Sequence, residues 1–131
     1  MNTRESGKEF ENIATEYLKN SGYTIIDRNY SCKIGEIDII ARDGSYLVFV
    51  EVKYRKSSGK GEPELAVDYR KQRKISRTAD YYFMKNNISA DTAVRFDVVS
   101  ILGSDISLYK NAFQYIGFWY ELYVFKYRKN L

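Results

Sequence analysis

The sequence predicts an α/β domain in which a mixed β-sheet is flanked by helices, in the element order α-β-β-β-α-β. Two stretches with helical spacing stand apart in the chain, near residues 6–20 and 62–85. Short β-branched runs lie between and after them, and Asp43-Gly44 joins two of these runs as a hairpin signal. Strand clusters mixed with two helices are the pattern of helices packed on one sheet. A length of 131 residues suits a single domain, and 44% hydrophobic with 29% charged residues is ordinary globular composition.

Each element has its own reason. From about Ser6 to Asn20, the residues Phe10, Ile13, Ala14, Tyr17 and Leu18 share one helical face, while Glu5, Lys8, Glu16 and Lys19 fall elsewhere. Ser21-Gly22 ends this helix, with Gly22 as a left-handed cap. Tyr23 to Tyr30 reads as a strand around Thr24-Ile25-Ile26. Ile34 to Arg42 and Tyr46 to Arg55 form the hairpin. Ser57 to Gly61 is a loop, and Pro63 suits the first turn of a helix from about Glu62 to Lys85. Leu65, Tyr69, Ile75, Ala79 and Phe83 are its apolar stripe. Ala93 to Leu102 is a fourth strand, and Ile106 to Tyr109 a short fifth. No internal repeat is visible.

Composition excludes several chemistries. There is no histidine, so imidazole bases, Ser-His-Asp triads and His-ligated metals are absent. One cysteine, Cys32, leaves no intrachain disulfide and no Cys-rich zinc site. Catalysis would have to use carboxylates, lysine, tyrosine or a hard metal held by oxygen. A net charge of +4 permits a nucleic-acid partner without demanding one. The N-terminus does not read as a signal peptide, no stretch is apolar enough to span a bilayer, and the lone cysteine points to the cytoplasm.

The hairpin carries the chemistry. Alternate strand residues share a face, so Ile34, Glu36, Asp38 and Ile40 lie on one side. A two-residue turn at Asp43-Gly44 sets Glu36 opposite Glu51 and Asp38 opposite Phe49, which adds Leu47, Phe49, Glu51 and Lys53 to that side. The other side, Ile37, Ile39 and Ala41 against Val48, Val50 and Val52, is core. A slip of two residues would keep the face and change the partners. Two carboxylates ~5 Å apart at an effective dielectric of ~20 repel by roughly 3 kcal/mol, a conflict that a divalent cation removes. Mg²⁺ takes one or two carboxylates plus waters and substrate phosphate, and Lys53 beside Glu51 could hold a phosphate or steer an attacking water. The same residues also admit a salt-bridge cluster on a solvated face.

These strings, Gly-Glu-Ile-Asp-Ile-Ile over residues 35–40 and Phe-Val-Glu-Val-Lys-Tyr-Arg over residues 49–55, resemble the YraN-like family of uncharacterised bacterial proteins. That family is assigned to the PD-(D/E)XK nuclease superfamily and is similar to archaeal Holliday-junction resolvases. The resemblance runs from about Glu9 to Phe113 and takes in Glu11, Ala14, Tyr17-Leu18, Gly22-Tyr23, Arg28-Asn29, Lys71-Gln72, Arg95-Phe96-Asp97 and Asn111-Ala112-Phe113. It implies a restriction-endonuclease-like sheet over residues 1–113, followed by an aromatic extension over 114–131. It implies Mg²⁺ or Mn²⁺ held by Asp38 and Glu51, with the Val52 carbonyl as a further ligand. Lys53 takes the place of the catalytic lysine, and Glu11 on the first helix completes the site. The chain departs at Phe10, where the family usually has glycine, which leaves less room for the first helix to approach.

Other features support a nucleic-acid partner, DNA by this reading. Arg70, Arg73, Lys74 and Arg77 recur at i, i+3, i+4 and i+7, a stripe that could track phosphates or simply be solvated. Gln72 falls within the apolar stripe, with Lys71 at its edge. Gln72 needs partners there, either the site and its substrate or the backbone. Lys56 and Lys60 lie in a Gly-rich loop after the third strand. Asp97, flanked by Arg95 and Phe96, reads first as a structural ion pair. The tail, with Phe113, Tyr115, Phe118, Trp119, Tyr120, Tyr123, Phe125 and Tyr127, fits packing on the domain, a homodimer interface or a membrane-surface contact. Three readings follow: a metal-dependent endonuclease-like enzyme acting on DNA, a nucleic-acid-binding module of the same fold, and an assembly protein using its tail.

Overall fold

A computed structural model describes residues 3–56 and 67–117, with side chains from Gly7 onward. The order is α1 (Thr3–Asn20), β1 (Thr24–Ser31), β2 (Glu36–Asp43), β3 (Tyr46–Arg55), α2 (Tyr69–Lys85), β4 (Val94–Leu102) and β5 (Asp105–Phe113). The five strands form one sheet in sequence order, and only the β3–β4 pair is parallel. This is the α/β mixed sheet with flanking helices that the sequence predicts. A parallel pair needs a crossover, and α2 supplies it.

Each sheet face buries one helix. Ala14 and Leu18 of α1 pack with Ile39, Ala41, Val48, Val50 and Val99, and Ile75, Ala79 and Tyr82 of α2 pack with Ile40, Leu47, Phe49, Phe96 and Val98. Strict alternation breaks within β2. Ile37, expected beside Ile39, joins the α2 face with Ile40 instead.

Helix α1 ends as expected. The Tyr23 N–H donates to the Leu18 carbonyl and the Gly22 N–H to the Lys19 carbonyl, both at 3.0 Å, with Gly22 at φ 96°. That is the Schellman pattern, and Tyr23 and Leu18 bury together across it. Helix α2 starts later than about Glu62. Residues 67 and 68 are not helical, and the Asp68 side chain caps α2 by accepting the Lys71 N–H at 2.9 Å. The expected loop at 57–61, Lys60 and Pro63 lie outside the described residues, as does the tail beyond Gly117. Strand β5 is longer than expected and runs to Phe113.

The hairpin register differs from the expected one by two residues. Asp43 pairs with Tyr46, so Gly44-Ser45 form the loop, and Gly44 at φ 60° supplies the positive angle that the first turn position needs. Asp43 stays in the strand because its carboxylate is held by Arg95 at 2.7 Å and Lys110 at 3.2 Å. Phe49 therefore faces Ile40, not Asp38, and the last ladder pair is Ile39–Val50. No helix among the described residues is long and apolar enough to cross a membrane.

Candidate functional site

Just past Ile39–Val50, β2 and β3 stop pairing, and the next residue on each strand is acidic: Asp38 and Glu51. Continuing the observed register sets these two opposite one another, in place of the expected Glu36–Glu51 pair. The parting strands leave a vacancy in the ladder that Asp38 fills with its own side chain. Its Oδ2 accepts the Val52 N–H at 2.8 Å. β3 meanwhile keeps its pairing with β4, where Glu51 faces Val98 and Lys53 faces Ser100. The sequence pattern encodes this: every ladder residue from Ile39 to Ala41 and from Leu47 to Val50 is apolar and buried, and carboxylates and a lysine alternate with Ile37 and Val52 beyond the split.

Burial sets the electrostatics. It pushes the Asp38 carboxyl up to about 6, against the Val52 N–H and Lys71, which favour the charged form, and with Glu11 and Glu36 adding to the rise. Burial also raises Glu51, and the Asp38 charge raises it further, while Lys71 and Lys53 oppose. Glu51 thus sits within the field of Asp38 and of two lysines. Lys71 Nζ is 3.7 Å from Glu51 Oε1. Asp38 and Glu51 are the pair that could hold a hard divalent cation. Among the described residues, no group of three or more acidic or cysteine side chains gathers as a fuller cage.

A groove of about 710 Å³ opens on the α1 side of this point. It is lined by Gly7, Lys8 and Glu11 of α1, Asn29 of β1, Glu36 and Asp38 of β2, and Val52 and Tyr54 of β3. Glu11 is buried at the groove wall, where Arg28 Nε donates to its Oε1 at 3.0 Å and Asn29 Nδ2 at 2.9 Å. Asn29 reaches it from a left-handed backbone at φ 54°, a conformation that asparagine tolerates. Phe10 does not keep α1 away. Its ring stacks on Tyr54 with centroids 4.1 Å apart, and Glu11 still reaches the groove. Glu36 is exposed at the start of β2.

The residues expected to bind nucleic acid divide. Lys71 turns to the carboxylates. Gln72 Nε2 donates to the Val67 carbonyl at 2.6 Å, which is the backbone satisfaction open to a buried glutamine. Arg70, Arg73 and Lys74 are exposed on α2. Arg77, in the same stripe, instead bonds Asp80 and the Ile116 carbonyl and lies over the Tyr115 ring at 5.8 Å. The Ile116 N–H donates to Ser76 at 3.1 Å, so residues up to 117 are tied onto α2.

Asp97 is fully buried and structural. It accepts from Tyr23 Oη at 2.6 Å, from Arg95 Nε at 2.9 Å and from the Asn111 N–H at 2.9 Å, the last across a bulge in β5. Burial and the neighbouring Asp97 push the Tyr23 hydroxyl far up. Sequence reasoning missed Asn29, Tyr54 and Lys8 as groove residues. Two signals were available: Tyr54 directly follows Lys53, and Arg28-Asn29 stands in the resemblance.

The sequence comparisons agree among themselves. The description "Uncharacterised protein family UPF0102" matches residues 10–101. A UPF0102 protein of Lachnoclostridium phytofermentans is 50% identical over 117 residues, covering 89% of this chain and 99% of that protein. One from Persephonella marina is 50% identical over 107 residues, covering 82% and 91%. One from Clostridium botulinum strain Loch Maree is 45% identical over 117 residues, covering 85% and 95%.

Proposed function

The chain belongs to the UPF0102 family, and from the site its fold builds we propose that it is a metal-dependent, endonuclease-like phosphodiester hydrolase acting on DNA. The observation that supports this most is the Asp38–Glu51 pair. Two largely buried carboxylates on adjacent strands carry like charge and repel each other, and a purely structural hairpin would gain by losing one. The donor set is all oxygen, which suits Mg²⁺ or Mn²⁺, and two carboxylates with waters and a substrate phosphate are a common way to hold Mg²⁺.

When bound, such an ion supplies a Lewis acid and an activated water. The protein's own groups do the rest. Asp38 and Glu51 would hold the ion, and the Val52 carbonyl would be the further ligand. Asp38 is itself fixed by the Val52 N–H. Glu11, oriented by Arg28 and Asn29, adds negative charge at the same groove. Lys53 stabilises charge developing on the phosphate or orients the water. Lys71 balances Glu51 from α2, and Arg70, Arg73 and Lys74 offer contacts to the flanking backbone. The lone cysteine is consistent with action in the cytoplasm.

The test is a panel of single-stranded, duplex and junction DNAs incubated with Mg²⁺ or Mn²⁺. Cleavage is expected in at least one arm, and Asp38→Asn or Lys53→Ala should each lower it by about 100-fold or more. Salt-dependent binding without cleavage would turn the reading into a non-cutting module, which the Lys71–Glu51 ion pair favours. Binding to none of the panel would overturn it altogether.

A further inference from the structure

The groove has an aromatic wall that the hydrolase reading does not use. Tyr54 follows Lys53 on β3, lines the groove and is 39% exposed. One ring face is covered by Phe10, which lies nearly parallel at 17°. The exposure therefore belongs to the opposite face and the edge. Phe10 is itself partly buried against the α1-side core. The tyrosine ring is thus held as a backed plate rather than a swinging side chain.

The surroundings restrict what can lie on that plate. Glu11, Glu36 and Asp38 line the same groove, with Lys8 as the cation at its wall. A phosphate chain threaded along three carboxylates is repelled wherever no cation screens it. A nucleobase is neutral, has a π-face for the ring, and carries N–H donors, amino or ring, that can donate to carboxylates. The volume is within the ~300–1,000 Å³ usual for small-ligand clefts. A base paired inside a continuous duplex cannot offer its face to the wall, because both faces are stacked.

We propose that the groove receives an unpaired nucleobase, stacked on the Phe10-backed Tyr54 ring, so that the site selects nucleic acid with a single-stranded segment over continuous duplex. This rests on the nucleic-acid reading above and narrows its substrate class. Tyr54 is a specificity residue that touches the base, and Phe10 positions it. Stacking on an aromatic side chain is tolerant of base identity, so little sequence preference is expected.

The experiment is fluorescence anisotropy of the full chain with a labelled oligonucleotide, single-stranded or annealed to its complement, in Ca²⁺ buffer. The single strand should bind about tenfold tighter than the duplex. Tyr54→Ala should weaken single-strand binding by at least about fivefold and leave duplex binding unchanged. Tyr54→Trp should restore it. Thermal melts of each variant check that α1 stays docked, and the Trp variant keeps the test valid if the Ala variant unfolds. Equal binding of single strand and duplex, or loss of both together in folded Tyr54→Ala, overturns the inference and leaves the hydrolase reading standing. Absence of binding to either DNA overturns both.

Discussion

Replacing Asp38 by asparagine should stabilise the metal-free fold near neutral pH, although it removes a proposed metal ligand. The Asp38 carboxyl is lifted from 3.8 to about 6, mainly by burial. Held ionised above both values, it costs the fold roughly 3 kcal/mol. The amide oxygen of asparagine can still accept the Val52 N–H, but without a charge on that bond, which takes back about 1 kcal/mol. The net gain is about 2 kcal/mol, or roughly 8 °C in Tm for a domain of this length. The pH dependence has a definite sign. Between 3.8 and about 6 the folded protein keeps a proton that the unfolded chain has released. Wild-type stability should therefore fall as pH rises through that window, and go on falling until the Glu51 carboxyl, pushed up to about 7, has ionised as well. The variant should lack the Asp38 part of this fall and keep the part due to burial of Glu51, so the two proteins should converge near pH ~4 and separate by pH ~8. Urea and thermal melts in EDTA across that range measure it. A bound divalent cation should return the lost stability to wild type, about 2.7 kcal/mol at 100 times Kd, and much less to the variant. The reasoning is refuted if the variant is no more stable than wild type at the upper pH, or if their difference does not change with pH.

Two further outcomes follow from the structure. Asp97→Ala should cost about 3–5 kcal/mol in urea unfolding, because it leaves Arg95 Nε, the Tyr23 hydroxyl hydrogen and the Asn111 N–H without their acceptor around a buried vacancy, with Asp43 left as the carboxylate holding Arg95. Arg77→Ala should cost about 1–3 kcal/mol by leaving the Ile116 carbonyl without its donor, and hydrogen exchange should speed up at the amides of residues 114–117.

How much of this was legible depends on the range of the interaction. Local periodicity located both helices and all five strands, because the apolar stripe of α1 and the β-branched runs of β2–β4 declare themselves within a few residues. That acidic residues of both strands gather at one end of the hairpin followed from its spacing, while the pairing of Asp38 with Glu51 came from the resemblance. The register followed from neither, because whether Asp43 belongs to the turn or the strand is decided by Arg95, 52 positions away. The same holds for Tyr23, whose partner Asp97 is 74 positions distant. Lys71 and Arg77 share one helix and one charge, and nothing local says that the first turns to Glu51 while the second secures Ile116. The break in alternation that moves Ile37 to the α2 face arises where the strands separate, which spacing alone does not mark. Of the site residues, the structure places Glu11, Asp38 and Val52 around one groove and Glu51 beside them.

The bond from Asp38 to the Val52 amide makes the acid part of the weave as well as part of the site. Where two strands unzip, the first loose amide must find an acceptor or stay thirsty, and here the acceptor is the acid itself. A hydrophobic replacement at position 38 would therefore fray the seam as well as discharge it, whereas asparagine discharges it and leaves the seam sewn. The same stitch fixes the Asp38 carboxylate against β3 at the wall of the groove, so its place is set by the cloth of the sheet itself.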